Sequence, residues 1–242
     1  MFPLKAKYKY LSGKVLSSRV YPEFFTLYPH ERVLNAGFGH GPQVLVYKDT
    51  FQEMLGVDIQ ADRLNKAGEM LHEHDIQNVE LAVGSVEALS AVNESFDAAL
   101  AIDIAEHVER PEIFFSELYR VLKPGGRLLI TFPAMHDRFE DFMHMLGRFL
   151  KPWKKRLPHI HNRAWHPDAH AHEYSFAIWQ RMVERAGFTF IKSRATTMFP
   201  PLHLYGVPRF WFSVEWLHKL DKKVASSRMQ YLGQTIMAEF KK

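Results

Sequence analysis

Val33-Leu34-Asn35-Ala36-Gly37-Phe38-Gly39-His40-Gly41 is the stretch on which the reading of this chain turns. An apolar run ends a predicted strand, and three glycines at alternate positions then reverse the backbone. Glycine has no Cβ, so such a turn can take positive φ and let a ligand come close to the main chain. The spacing is G-x-G-x-G. The dinucleotide fingerprint is G-x-G-x-x-G, and Pro42 stands where its last glycine would be. The pattern therefore favours a smaller nucleoside over a pyrophosphate. About 20 residues further on, Gly56-Val57-Asp58-Ile59 puts an acid at the end of a second apolar run, where a carboxylate can accept both hydroxyls of a ribose.

Apolar runs alternate with helical patterns along the chain, which predicts βαβ units around a parallel sheet. Strands are expected at Arg32–Asn35, Met54–Asp58, Val79–Val83, Ala98–Ile102, Arg127–Phe132, Phe188–Ser193 and Gln234–Phe240. Helices are expected at Ala61–His74, Pro111–Leu122 and Ser175–Ala186. Pro111 suits a first helical turn, where its missing N–H costs nothing. Lys123-Pro124-Gly125-Gly126 reads as the stop of that helix, Ser175 as an N-cap and Gly187 as the matching stop.

From Val33 to Pro133 the sequence resembles the class I S-adenosylmethionine (SAM) dependent methyltransferases of the ubiquinone-biosynthesis-like kind, methyltransferase type 11. The glycine loop resembles the family's first motif and Asp58 its ribose acid. Val83-Gly84-Ser85-Val86-Glu87-Ala88-Leu89 is similar to its adenine-flanking block. Phe96–Val108 resembles its fourth strand and following loop, and Leu122-Lys123-Pro124-Gly125-Gly126-Arg127 the turn into its fifth. His172-Glu173-Tyr174-Ser175 and Val183–Phe188 look like its late helix and sixth strand. The resemblance implies an α/β fold, a Rossmann-like three-layer αβα sandwich. Its seven-stranded sheet would be mostly parallel, with one antiparallel strand at Gln234–Phe240. It implies SAM as cofactor, with Asn35, Ala36, Gly37, Gly39, Gly41, Asp58, Ile59, Ser85, Val86 and Asp103 as cofactor-binding residues. Ile59 would pack on adenine, Ser85 and Val86 would border its edge, and Asp103 would reach toward the methionine end. His107 and His172 are the candidate catalytic bases, and His107 and Tyr174 the candidate acceptor contacts.

Two positions depart from the pattern. The family usually has an acid where Asn35 stands, and often Asp where Ser85 stands. A charged hydrogen bond contributes roughly 1.5–3 kcal/mol against about 1 for a neutral one, so uncompensated loss of the acid would lower SAM affinity by about tenfold. The expected reaction is methyl transfer to an O, N or C nucleophile of a small acceptor of lipid, quinone or glycan type. The alternative is a SAM-binding protein with impaired catalysis. An NAD(P) oxidoreductase is disfavoured by the loop spacing and by Asp58, which would repel a 2′-phosphate. Tyr119-Arg120-Val121-Leu122-Lys123 matches the Tyr-x-x-x-Lys pair of short-chain dehydrogenases, but no G-x-G-x-x-G precedes it. Asp103, Glu106 and His107 could ligate a divalent ion. The same Glu-His pair serves relatives that hold no metal, and no metal site is expected.

The 242 residues are 47% hydrophobic and 24% charged, which suits one domain over 1–242. An N-terminal helical extension over 1–28 and a lid-like insertion over 134–171 would flank the central fold. The insertion carries an apolar helical stripe from Phe139 to Leu150. Beyond it His159, His161, His166, His170 and His172 crowd together, more in the manner of a histidine-rich surface loop than a zinc site. There is no cysteine, and therefore neither a disulfide framework nor a thiolate metal site. No apolar run nears the roughly 20 residues of a membrane span, and the basic, aromatic start lacks the apolar core of a secretory signal. A cytoplasmic protein is expected. The net charge of +4 is mild, and no nucleic-acid motif accompanies it. The aromatic stretch around Phe199, Phe210, Trp211 and Trp216, with Arg209 and Lys219, fits peripheral membrane contact, a substrate lid or a homodimer face equally well.

Overall fold

The computed structural model of the chain describes residues 20–133, 171, 172, 174–195 and 235–242. Among the described residues the strands are β1 (Arg32–Ala36), β2 (Glu53–Asp58), β3 (Val79–Val83), β4 (Phe96–Ala101), β5 (Leu122–Pro133), β6 (Thr189–Ala195) and β7 (Thr235–Lys241). Among the described residues the helices are α1 (Val44–Tyr47), α2 (Ala61–Glu73), α3 (Pro111–Val121) and α4 (Phe176–Arg185). The seven strands form one sheet in the order β3-β2-β1-β4-β5-β7-β6. Pairing is parallel from β3 to β5, and β7 runs antiparallel to both β5 and β6. The antiparallel strand is thus the one expected from the sequence, although Gln234 lies outside the described residues.

Side chains alternate across a strand, and both faces of this sheet are apolar. On one face Leu34, Ala99, Leu128, Ile130 and Phe240 meet Phe114, Phe115 and Leu118 of α3 and Trp179 and Val183 of α4. On the other, Val33, Ala98, Leu100, Leu129 and Met237 meet Leu64, Ala67 and Leu71 of α2, Val44 and Tyr47 of α1, and the segment from Val20 to Leu27. The result is helix, sheet, helix. Residues 20–28, the described end of the extension expected to be helical, are instead a single turn at 22–24 with irregular backbone on either side. They are fastened by Phe25 N–H donating to Tyr21 O and by the Tyr47 hydroxyl donating to Phe25 O.

Several boundaries differ from the sequence expectation for physical reasons. Helix α3 stops at Val121, because Leu122 already pairs with Phe96. Ala98 then pairs with Arg127, so Lys123–Gly126 stand opposite Asp97 alone and bulge out of the ladder rather than ending the helix. The last carbonyls of α3 are capped from a distance: Lys242 Nζ donates to Tyr119 O and Leu122 O at 2.8 and 2.7 Å, a cation at a helix C-terminus. Ser175 does occupy the N-cap of α4, but its hydroxyl makes no capping bond. Gly187 ends α4 at φ 110°, and a Cβ there would lie 2.7 Å from the Tyr119 ring. Tyr119 itself packs edge-on against Phe188, and Lys123 is paired with Asp97. The Tyr-x-x-x-Lys pattern is thus spent on packing and an ion pair.

Gly187→Ala adds both a left-handed strain and this collision. It is expected to lower unfolding stability by about 1–3 kcal/mol. Urea denaturation that finds a loss below about half a kcal/mol would refute the packing account.

Candidate functional site

Strand order reverses between β1 and β4. In open α/β sheets the crevice outside the carboxyl ends of the strands at such a point is where ligands sit. The glycine loop lies there. Gly37 N–H and Phe38 N–H both donate to Val57 O, at 2.8 and 2.9 Å. Gly39 N–H donates to Asp58 Oδ2 at 2.8 Å, and Gln60 N–H to Asp58 Oδ1 at 2.9 Å. One carboxylate thus holds the loop after β1 and the start of α2.

The three loop glycines have φ of 75°, 57° and 67°, but they are glycine for different reasons. A Cβ at Gly37 would press on Ile104 at 2.7 Å, and one at Gly41 would fall on the Phe38 ring. Gly56 on β2 makes room for the same ring from the other side. At Gly39 a Cβ would meet nothing within 4 Å. Two of the three glycines therefore serve internal packing, and Gly39 alone offers bare backbone to open space.

Beside Asp58, Ile59 is 71% exposed. Val83, its neighbour in register through Asp58, is 63% exposed. Two large apolar side chains facing out at the lip of a crevice are ready to take a flat apolar ligand. Val83 was not among the residues singled out from the sequence, because an apolar residue ending a strand reads as core. Val86 is instead buried in the core, and the Ser85 hydroxyl accepts from Glu87 N–H at 3.2 Å. Deeper in, the amide of Asn35 is fully buried, and neither its Oδ1 nor its Nδ2 has a hydrogen-bond partner. Gln43 Oε1, just past the loop, is in the same state. Buried polar groups are rarely left so. Asp103 sits at φ 52°, a strained value for a non-glycine residue. The Thr131 hydroxyl holds it there, accepting from Asp103 N–H at 2.8 Å and donating to Asp103 Oδ1 at 2.9 Å. Thr131 escaped the sequence reading, although it is the one polar residue in Leu128–Phe132.

His107 and His172 come from distant parts of the chain and meet around one loop. His107 N–H donates to Ile104 O at 2.9 Å, and its ring Nε2 stands 4.0 Å from Glu106 Oε1. Ala171 N–H and His172 N–H donate to Glu106 O. The His172 ring stacks on Tyr174, both lie near Trp179, and His172 Nε2 is 3.3 Å from Glu109 O. Among the described residues no group of three His, Asp or Glu side chains is placed to hold a metal ion. Asp103 is turned to Thr131 and the Glu106 side chain is buried, whereas His107 is 40% exposed. His159, His161, His166, His170, Glu173 and the aromatic residues between 198 and 220 lie outside the described residues.

Glu87 ties the donor side of this crevice to the other. Its Oε1 accepts from Glu109 N–H and Arg110 N–H, and its Oε2 from the Arg110 guanidinium. Burial pushes the carboxyl up, but the Arg110 and Glu109 donors outweigh it and hold it below the ordinary range.

Two outcomes follow from this geometry. Alanine at either Gly39 or Gly41 costs about 1–2 kcal/mol for its left-handed backbone, but only Gly41→Ala also strikes Phe38. Gly41→Ala is expected to lose more stability in urea, and Gly39→Ala to lose affinity for S-adenosylhomocysteine in calorimetric titration. An unchanged affinity in Gly39→Ala would remove the open-backbone assignment. For Glu87, a lowered folded value means that its contribution is complete above about pH 4.5 and disappears as pH falls through the folded value. Glu87→Gln should therefore melt below the native protein at neutral pH, by about 1.5–3 kcal/mol. The gap should close on acidification, and a gap that is flat from pH 7 to 3 would contradict it.

Residues 34–130 match the model of the methyltransferase domain family. The chain is 28% identical over 143 residues to phosphoethanolamine N-methyltransferase 2 of Caenorhabditis elegans, covering 57% of this chain and 33% of that one. It is 29% identical over 153 residues to the uncharacterised methyltransferase YcgJ of Bacillus subtilis, covering 62% and 54%. The chain thus spans a third to about half the length of these curated relatives. Among solved structures, a SAM-dependent methyltransferase from Aquifex aeolicus superposes over 100% of this chain and 98% of its own, with a TM-score of 0.60 at 15% identity. That likeness speaks to fold alone. Over residues 34–130 the chain is thus similar to the methyltransferase domain family, and its sheet order is that of a doubly wound α/β fold.

Proposed function

We propose that this protein transfers the methyl group of SAM to an O, N or C nucleophile of a small-molecule acceptor. The cradle formed by Asp58, Gly39, Ile59 and Val83 carries the reading. A carboxylate offers about four lone-pair sites. The two backbone N–H groups at Asp58 use one on each oxygen, which leaves capacity for both hydroxyls of a ribose. Ile59 and Val83 would flank the adenine, with Ser85 at its edge. Val86 acts from behind as part of the core. The bare backbone at Gly39 would admit the methionine part, with Ala36, Gly37 and Gly41 shaping the loop around it. Asn35 would direct its buried amide, and Asp103 its carboxylate, toward the amino-acid end. Asp58 would meet the donor by its charge, and Ile59 and Val83 by their exposure.

When bound, SAM supplies an electrophilic methyl group on a positive sulfonium. The protein's own share is to align the acceptor with it and exclude water. Such positioning can supply roughly 7–11 kcal/mol of a barrier. We assign proton removal to His107, whose part-exposed ring lies in the turn that follows β4. A base adds a factor of about 10²–10⁴ when the nucleophile must lose a proton. His172, with Nε2 directed at Glu109 O, keeps that N–H engaged and presents Nδ1 as its accepting nitrogen. With Tyr174 it would form the acceptor wall. No described helix is long and apolar enough to cross a membrane. Asn35, in place of an acid, favours a second reading in which SAM binds and no acceptor is turned over.

Calorimetric titration with S-adenosylhomocysteine, with NAD as control, tests the donor. Micromolar binding of the former alone is expected, weakened roughly tenfold or more in Asp58→Asn, the worth of one charged hydrogen bond. Equal affinity in Asp58→Asn would overturn the ribose assignment. Tight binding with no turnover on phosphorylated, fatty-acid, quinol and glycan acceptors would decide for the second reading.

A further inference from the structure

The outer half of the sheet carries three cations that stand on aromatic rings of the segment 20–28, and one of them lacks what the other two have. Arg127 on β5 lies over Phe25 and Tyr28 and is paired with Glu31 at 2.7 Å. Lys192 on β6 lies over Phe24 and is paired with Glu239 at 3.0 Å. Arg194 on β6 lies over Tyr21, 4.5 Å from its centroid, and no carboxylate among the described residues is paired with it. Arg194 is 5% exposed, and its buried Nε and Nη2 have no hydrogen-bond partner. A ring face offsets only part of the desolvation of a guanidinium. A planar fork with free N–H groups matches a carboxylate or phosphate.

Its place in the sheet points the same way. Arg194 pairs with Met237, which pairs with Thr131, the residue whose hydroxyl holds Asp103. Residues paired across antiparallel strands share a face, and neighbouring strands lie about 5 Å apart. The Arg194 backbone is therefore about 10 Å from that of Thr131, on the same face and at the same carboxyl edge as the donor cradle.

We propose that Arg194 receives an oxyanion, carboxylate or phosphate, carried by the methyl acceptor, with the Tyr21 ring as the wall beneath it. The proposal rests on the methyltransferase reading. It makes the acceptor an anionic small molecule and gives Arg194 the part of a specificity residue rather than a catalytic one.

Thermal melting of the full chain tests it, with inorganic phosphate and octanoate as probes against chloride at matched ionic strength. At ten times its dissociation constant, one of the probes should raise the native Tm by about 3–5 °C. The probe that responds distinguishes a phosphate from a carboxylate. Arg194→Met should lose the response and keep the shift given by S-adenosylhomocysteine. In chloride it should melt no lower than the native protein, because the uncompensated charge is gone. Arg194→Lys, which keeps the charge without the fork, should retain a weaker response. A native protein that gains nothing from either probe at tens of millimolar, or an Arg194→Met variant that gains as much as the native one, overturns the proposal. Absence of a shift with S-adenosylhomocysteine in the native protein refutes the donor reading instead, and the same plate separates the two.

Discussion

The ring of Phe38 is the constraint from which the donor crevice takes its shape. It is almost wholly buried, and it can lie there only because Gly41 and Gly56 have no Cβ on either side. With the ring anchored under the loop, the backbone before and after it must pass through left-handed φ. That path carries the Gly39 amide out to Asp58. The carboxylate is then fixed by two main-chain donors before any ligand arrives. Preorganised groups of this kind lose little freedom on binding. The apolar packing of one phenylalanine and the polar geometry of one aspartate are thus a single device.

The two edges of the sheet treat their polar groups in opposite ways. At the amino edge, Asp97 takes Arg32 N–H and Lys123 Nζ, Glu31 takes Tyr28 N–H and Arg127, and Lys242 holds two carbonyls of α3. Burial pushes the Asp97 carboxyl up, yet these donors hold it below its usual range. At the carboxyl edge, Asn35, Gln43 and Arg194 have buried polar atoms with no partner, and Asp103 is strained. Strain and unmet hydrogen-bonding capacity cluster where structure serves binding rather than stability. The unpartnered buried atoms of Asn35, Gln43 and Arg194 thus gather at the carboxyl edge, where Glu87 with Arg110 is the satisfied exception.

Most of this was legible in the sequence where a single period or a single residue type decides the outcome. Alternating apolar runs gave the strands, and Gly187 and Pro111 marked real helix boundaries. The acid of Asp58 stands out at the end of a buried strand, and what the sequence does not reveal is that its two oxygens hold the Gly39 and Gln60 amides. What stayed hidden depends on partners distant in sequence. Lys123–Gly126 reads as a helix stop in isolation and becomes a bulge only because Phe96 claims Leu122. Val83 and Val86 are the same residue type three positions apart, and only the packing of α3 sends one to the core and leaves the other at the lip. The cap of α3 comes from Lys242, 120 residues from the carbonyl of Leu122 that it holds. Arg194 looked like any charge on an edge strand until its lack of a carboxylate could be set against Lys192 and Arg127.

Among the described residues, His172 is tied to the rest of the crevice through the turn from Glu106 to Arg110. Glu109 and Arg110 give their N–H groups to Glu87. The carbonyl of the same Glu109 faces the His172 ring, and the carbonyl of Glu106 takes the amides of 171 and 172. Through stacking, His172 fixes Tyr174 and both lean on Trp179. Glu87 and His172 are thus attached to one turn through main-chain groups of Glu109 and Arg110. A carboxylate suits position 87 because its two oxygens accept two amides and a guanidinium at once, which the single oxygen of an amide cannot match.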